Sequence, residues 1–277
     1  MKILTVSFLI LVMMYGQLHA DNHLVAKNKI KLNLDDTSEV ILKGFIAPVE
    51  YTQYNFHVEW DALANFAVAE PEKQHSASVF RAFLPDAAVA VGDLWQVEEE
   101  GALALLKQLS PNPRFNLDIN NGDSYGLWAC LRAYNDKFAE IVFRIHTEFV
   151  LNEGRFTPSQ FKGHLLIDRM NEKVVSFKMY VPEGVLNFDV GWDKLGAIDV
   201  GYCPQIELRT ETQIVLSDTE VGASITQEEA EREMVLRFYK SEQINWVSLE
   251  EALEMMQVQQ KPVHAISIDG PLADEAC

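Results

Sequence analysis

The sequence predicts an α+β fold in which an antiparallel β meander carries packed helices. Three observations predict it. Residues 124–210 hold successive short runs of alternating apolar and polar side chains, separated by turn-prone residues. Helical spacing of apolar residues is confined to segments before and after those runs. The 277 residues are 48% hydrophobic and include 15 Phe, which suffices for a real core.

The elements follow in chain order. Residues 1–20 read as an export signal: Lys2 is a short positive region and residues 3–15 are apolar. That run falls short of the ~20 residues a membrane span needs, and Leu18-His19-Ala20 ends it on a small side chain. Residues 28–34 and 39–47 alternate as strands, with 54–60 a third candidate. Residues 61–70 are Ala-rich and predict a short helix, and polar residues 72–78 predict a loop. Within 91–109 a turn leads into an amphipathic helix, with Ala102, Leu105, Leu106 and Leu109 on one face. Ser110-Pro111-Asn112-Pro113 ends it.

The strongest pattern spans 139–149. Ala139, Ile141, Phe143, Ile145 and Phe149 alternate with Glu140, Arg144, His146 and Glu148, which predicts a long strand with one buried and one wet face. It pairs with 126–134 across Asn135-Asp136. A second hairpin joins 161–168 to 173–181 around Met170-Asn171, and further strands fit 185–192 and 198–208. The polar stretch 211–225 reads as a linker.

Two helices follow, each opened by capping-box spacing: Thr226 with Glu229, then Ser248 with Glu251. Ala230, Met234, Val235 and Phe238 line the first; Leu249, Ala252, Leu253 and Met256 line the second. Lys261-Pro262 stops the second and feeds an apolar strand at 263–268, a turn, and Cys277. Helix, strand and cysteine in that order match the start of a thioredoxin-like unit, here an incomplete helix–strand segment. The organisation is therefore a signal at 1–20, an α+β domain at 21–210, a linker at 211–225, and a partial thioredoxin-like segment at 226–277.

The formal net charge of −18, with Lys and Arg scattered singly, argues against nucleic acid as a partner. No later segment is long and apolar enough to span a bilayer, so membrane association would require an uncleaved signal. The absence of an Asn-X-Ser/Thr sequon favours a bacterial periplasm over a eukaryotic lumen. Three cysteines, Cys130, Cys203 and Cys277, leave at least one thiol without an intrachain partner. Cys130 and Cys203 fall on predicted strands and read as small buried hydrophobes, with a disulfide between them left open. His146 and His164, with Glu148 and Asp168 nearby in sequence, raise a metal site; a solvated sheet face is the preferred reading and no metal is assigned. Glu98-Glu99-Glu100 and the acidic residues between Glu228 and Glu233 read as solvated helix turns. Serine-hydrolase, zincin, Walker and dinucleotide motifs are absent.

Several blocks carry a family resemblance. They are Val142-Phe143-Arg144-Ile145-His146-Thr147-Glu148-Phe149, then Phe156-Thr157-Pro158-Ser159-Gln160-Phe161-Lys162-Gly163-His164. Val185-Leu186-Asn187-Phe188-Asp189-Val190 and the run from Ile198 to Leu208 follow, with Lys261-Pro262-Val263-His264-Ala265-Ile266 and Gly270-Pro271-Leu272-Ala273-Asp274-Glu275-Ala276-Cys277 last. In this order, over residues 92–277, they resemble the selenoprotein N family. The resemblance implies that Cys277 is the redox cysteine and that selenocysteine follows it immediately in the full-length product, through a UGA codon read here as stop. No other cofactor is implied. Ala276 stands where that family commonly has Ser. Animal members carry a calcium-binding EF-hand; the nearest loop here, Asn116 to Gly122, has its Gly one place late and Leu127 where a bidentate Glu belongs, so calcium sensing is not carried over.

The reading that results is an exported thiol/selenol-disulfide oxidoreductase, periplasmic or extracellular in a bacterium and in the endoplasmic reticulum lumen in a eukaryote. Its partner would be a protein disulfide or thiol, with the 277-residue chain inactive alone. The alternative is a non-catalytic exported binding or scaffold protein that uses the β domain.

Overall fold

The computed structural model describes residues 28–35, 37–115, 126–214, 216, 222–238, 247–260 and 262–263. Its chain begins with β1 (Glu39–Ile46) and β2 (Tyr51–Thr52), then two helical turns, α1 (Phe56–Glu59) and α2 (Asp61–Ala64). Next come β3 (Glu72–Ser76), a 3-10 helix (Ala77–Phe83), β4 (Leu94–Gln96), α3 (Glu99–Leu109) and β5 (Pro113–Arg114). The central strands are β6 (Leu127–Tyr134), β7 (Phe138–Ile145), β8 (Glu148–Leu151), β9 (Gly154–Pro158), β10 (Phe161–Asp168) and β11 (Lys173–Tyr180). β12 (Phe188–Trp192), β13 (Ala197–Tyr202), β14 (Ile206–Arg209) and β15 (Ala223–Ser224) follow, then α4 (Gln227–Phe238) and α5 (Leu249–Gln259).

The fold is mixed α+β with antiparallel sheets, as the alternation predicts, and the strands divide between two of them. One runs β15-β6-β7-β10-β11-β14-β1-β3, with β4 also paired to β6; the other runs β2-β13-β12-β9-β8-β5. The chain crosses between them repeatedly. The predicted strand 139–149 breaks at His146-Thr147, where β7 of the first sheet gives way to β8 of the second. The predicted strand 198–208 breaks at Cys203-Pro204-Gln205 in the same way. Unbroken alternation cannot report such a crossing, because period 2 is the same in both sheets.

Three other expectations are corrected. Residues 28–34 form no strand beyond one bridge, Ile30 to Val89, although Ile30, Leu32 and Leu34 do alternate into the core. Residues 54–60 contain the turn α1, because the Asp199 carboxylate accepts the amide protons of Tyr54 and Phe56 from across the fold. An acceptor more than a hundred residues away thus satisfies N–H groups that a helix start leaves open. The polar residues 72–76 form the edge strand β3 because β1 supplies a ladder of partners.

Aromatic packing forms the core. Phe143 lies 4.6 Å from Phe83 and 5.5 Å from Phe177, centroid to centroid. Beneath the second sheet, Phe156 lies 4.7 Å from Phe188 and 4.6 Å from Phe66. Helix α3 closes the core through Ala102, Leu105, Leu106 and Leu109, all fully buried. It approaches the 3-10 helix so closely that a Cβ on Gly101 would sit 2.3 Å from that of Ala82. Among the described residues no helix is long and apolar enough to cross a membrane.

Candidate functional site

Cys277 lies outside the described residues, as do the predicted strand 263–268 beyond Val263 and most of the rejected loop that starts at Asn116. The other two cysteines are placed, and both are free and fully buried. Burial pushes the Cys130 thiol up to about 12, with the Asp93 carboxylate adding to the effect. Burial likewise raises Cys203 to about 11. Cys203 is pinned where β13 passes to β14: the Asn187 side chain bonds its amide and carbonyl at 2.9 and 2.8 Å, and its thiol donates to the Ala47 carbonyl. Burial thus favours the thiol over the thiolate at both positions and works against either as a redox nucleophile in this fold.

The four residues weighed as metal ligands do not converge. His146 follows β7 and is fully buried, whereas His164 lies on β10 and is partly buried. Burial pushes His146 down to about 3, with Arg144 adding repulsion, and burial also lowers His164. Glu148 pairs with Arg114 and Arg155, and Asp168 caps the β10–β11 turn through Met170, Asn171 and the Asn171 amide. No group of three metal-competent side chains exists among the described residues. The wet face expected of 139–149 is sealed instead: Glu140, Arg144, His146 and Glu148 are all buried. A bulge at Arg132 turns that guanidinium onto Glu140, both residues buried, with Nε to Oε2 at 2.9 Å.

What the structure brings together is a buried polar seam where the sheets exchange strands. Arg144 donates to Gln160 at the β9–β10 crossing. On the outer face of the second sheet, Asp189 stands opposite Thr157 and accepts from its hydroxyl. Arg155 lies over Gly191 and pairs with Glu148 at 3.2 Å. Asp189 is 6% exposed, and burial raises its carboxyl to about 6 against the opposing pull of Arg155. It can therefore hold or release a proton near neutrality. Sequence reasoning missed Asp189, Thr157, Arg155 and Gln160. The available signal was that most of them fall inside blocks of the family resemblance while carrying polar groups in apolar runs.

These shifts set opposite pH dependences. The raised folded-state value of Asp189 contributes stability below about 3.8, which is lost as pH rises through about 6. The depressed value of His146 contributes stability above 6.5, which is lost as pH falls toward 3. Asp189→Asn is expected to raise stability at pH 7 by up to about 3 kcal/mol, at ~1.4 kcal/mol per pH unit. It also removes the counterweight to histidine protonation, so urea melts of the variant between pH 6.5 and 4 lose stability more steeply than wild type. Parallel curves would mean that Asp189 titrates as an ordinary carboxylate.

The approach to Cys277 begins at α5. Ser248 and Glu251 form the predicted capping box, yet none of the helix's side chains is buried. Val247, Ala252, Met255, Met256, Pro262 and Val263 line a shallow groove of about 220 Å³.

Comparison with known proteins gives three related relatives. The chain is 29% identical to selenoprotein N of Danio rerio over 73% of its own length and 47% of that relative's. It is 26% identical to selenoprotein N of Mus musculus over 76% and 48%. For selenoprotein N of Homo sapiens the figures are 25%, 76% and 46%. The chain thus spans about half the length of the curated relatives it matches. No family model and no solved structure matches it.

Proposed function

We propose that this chain, selenoprotein N-like in sequence over about three quarters of its length, is part of an exported thiol/selenol-disulfide oxidoreductase in which Cys277 is the attacking residue. The observation that carries the reading is the fate of the cysteines. Cys130 and Cys203 are sealed as thiols, and Cys277 ends the block resembling the family's run into its redox site. In the reaction, the Cys277 thiolate attacks one sulfur of a substrate disulfide. A new S–S bond forms, the substrate S–S bond breaks, and the second substrate sulfur leaves as thiolate. A selenol next to Cys277 would ionise more readily than a thiol and resolve the mixed disulfide. Export rests on the signal-like residues 1–20.

The test has two arms. Native chain exposed to a small aromatic disulfide is expected to form its mixed disulfide at Cys277, with Cys130 and Cys203 unmodified on peptide mapping. The product of the gene, including any coding sequence beyond an in-frame UGA after codon 277, is expected to exchange faster than free cysteine. Exchange no faster than free cysteine would end the oxidoreductase reading and leave the β domain as a binding module.

A further inference from the structure

The outer face of the second sheet separates its charges by exposure. Glu148 of β8 and Asp189 of β12 are nearly closed to water, whereas the side chains of Arg114 on β5 and Arg155 on β9 are 49% and 37% exposed. The carboxylates are shielded and the guanidiniums meet solvent. Arg114 stands directly opposite Glu148 and holds its Oε1 through Nε and Nη2. Arg155 faces Oε2 through Nε at 3.2 Å. Both oxygens of one buried carboxylate therefore fix two arginines. Among the described residues, none accepts a hydrogen bond from Nη1 or Nη2 of Arg155, so its outer fork stays open.

The strand register places apolar groups on either side of that fork. Val150 pairs with Arg155, Arg155 with Gly191, and Gly191 with Ile198, in one row across four strands. Gly191 leaves a gap in the row, and the guanidinium fills it: a Cβ there would lie 2.7 Å from Nη1 of Arg155. The fork is thus carried toward Ile198, which is 59% exposed, while Val150 on the other side is 37% exposed. A planar guanidinium fork matches a carboxylate bidentately. Anchored at Nε, it loses less freedom on binding than an unanchored side chain. Glu148 and Asp189 lie close by in a chain of net charge −18, so a single negative charge is repelled less than a polyanion.

We propose that Arg155, anchored on Glu148 beside Arg114 and flanked by Val150 and Ile198, is a binding site for a small carboxylate with an apolar body. The fork takes the carboxylate, and the two exposed aliphatic side chains take the group attached to it. The site is independent of the redox reading, since it requires nothing of Cys277.

The experiment is a titration of the native chain with benzoate, followed by nitrogen–proton correlation spectra of the arginine side chains. Benzoate is expected to shift the Arg155 and Arg114 signals saturably, with a dissociation constant in the millimolar range. Benzamide, uncharged and of similar shape, is expected to leave them in place. Arg155→Gln is expected to weaken benzoate binding about tenfold, as the loss of a charged hydrogen-bonding pair implies. Ile198→Ser, at an exposed position, guards against a misfolded first variant and is expected to weaken it severalfold. Asp189→Asn removes the carboxylate that competes for Arg155 and is expected to tighten it severalfold. No saturable shift, an equal response to benzamide, or unchanged binding in folded Arg155→Gln would overturn the proposal. Sulfate binding as tightly as benzoate, with Ile198→Ser without effect, would overturn the apolar part of the site and with it the assigned ligand class.

Discussion

Glu140→Ala is expected to lower the unfolding free energy by about 3–5 kcal/mol, the range for breaking a buried ion pair from one side. Arg132 and Glu140 are 5% and 3% exposed, and Glu140 receives both Nε and Nη2 of the guanidinium. Arg132 also donates to the carbonyls of Leu216 and Ile225. The loss comes from a buried cation deprived of its two-nitrogen grip on a carboxylate, not from the worth of the pair. Replacing both partners, Arg132→Met with Glu140→Leu, is therefore expected to recover most of the stability. Urea denaturation of the single and double variants decides it. A double variant as unstable as the single one would show that the pair contributes through its own attraction.

Phe143→Ala is expected to cost about 3–5 kcal/mol, the usual range for truncating a buried ring. Phe143 is 1% exposed and packs in a three-ring cluster with Phe83 and Phe177, which also touch each other at 5.8 Å. Its rim also fills the space left at Gly163, where a Cβ would sit 2.2 Å from Cζ. A backbone ladder on both sides holds Gly163 in place, so the site cannot collapse around a small side chain. Ile198→Ala is the control: that side chain is 59% exposed, and its change is expected to stay within about 0.5 kcal/mol. A loss under 1 kcal/mol for Phe143→Ala in guanidinium melts would mean that the neighbouring rings close the cavity.

Legibility in the sequence followed the range of the interactions. The β6–β7 and β10–β11 hairpins were readable because Asn135-Asp136 and Met170-Asn171 lie between alternating runs, and the caps of α4 and α5 because their partners are three residues apart. The turn α1 was not readable, since its capping carboxylate, Asp199, is contributed by a distant strand. The candidate site divides the same way. Cys277 is proposed through a contiguous block of resemblance, whereas the Asp189–Thr157 contact exists only once β9 and β12 pair.

The sequence by itself determined the α+β class, the antiparallel hairpins, the similarity to selenoprotein N and which cysteine to suspect, because each depends on periodicity or on contiguous residues. Only the tertiary structure decided that the strands divide between two sheets and that the polar face of β7 is sealed. It also decided that Cys130 and Cys203 are held as thiols, each by its own surroundings. Burial and its electrostatic consequences are properties of what lies across from a residue. For Glu140, His146 and Asp189, what lies across comes from elsewhere in the chain: alternation marks them as opposite to the core face, and only the fold determines whether water reaches that side.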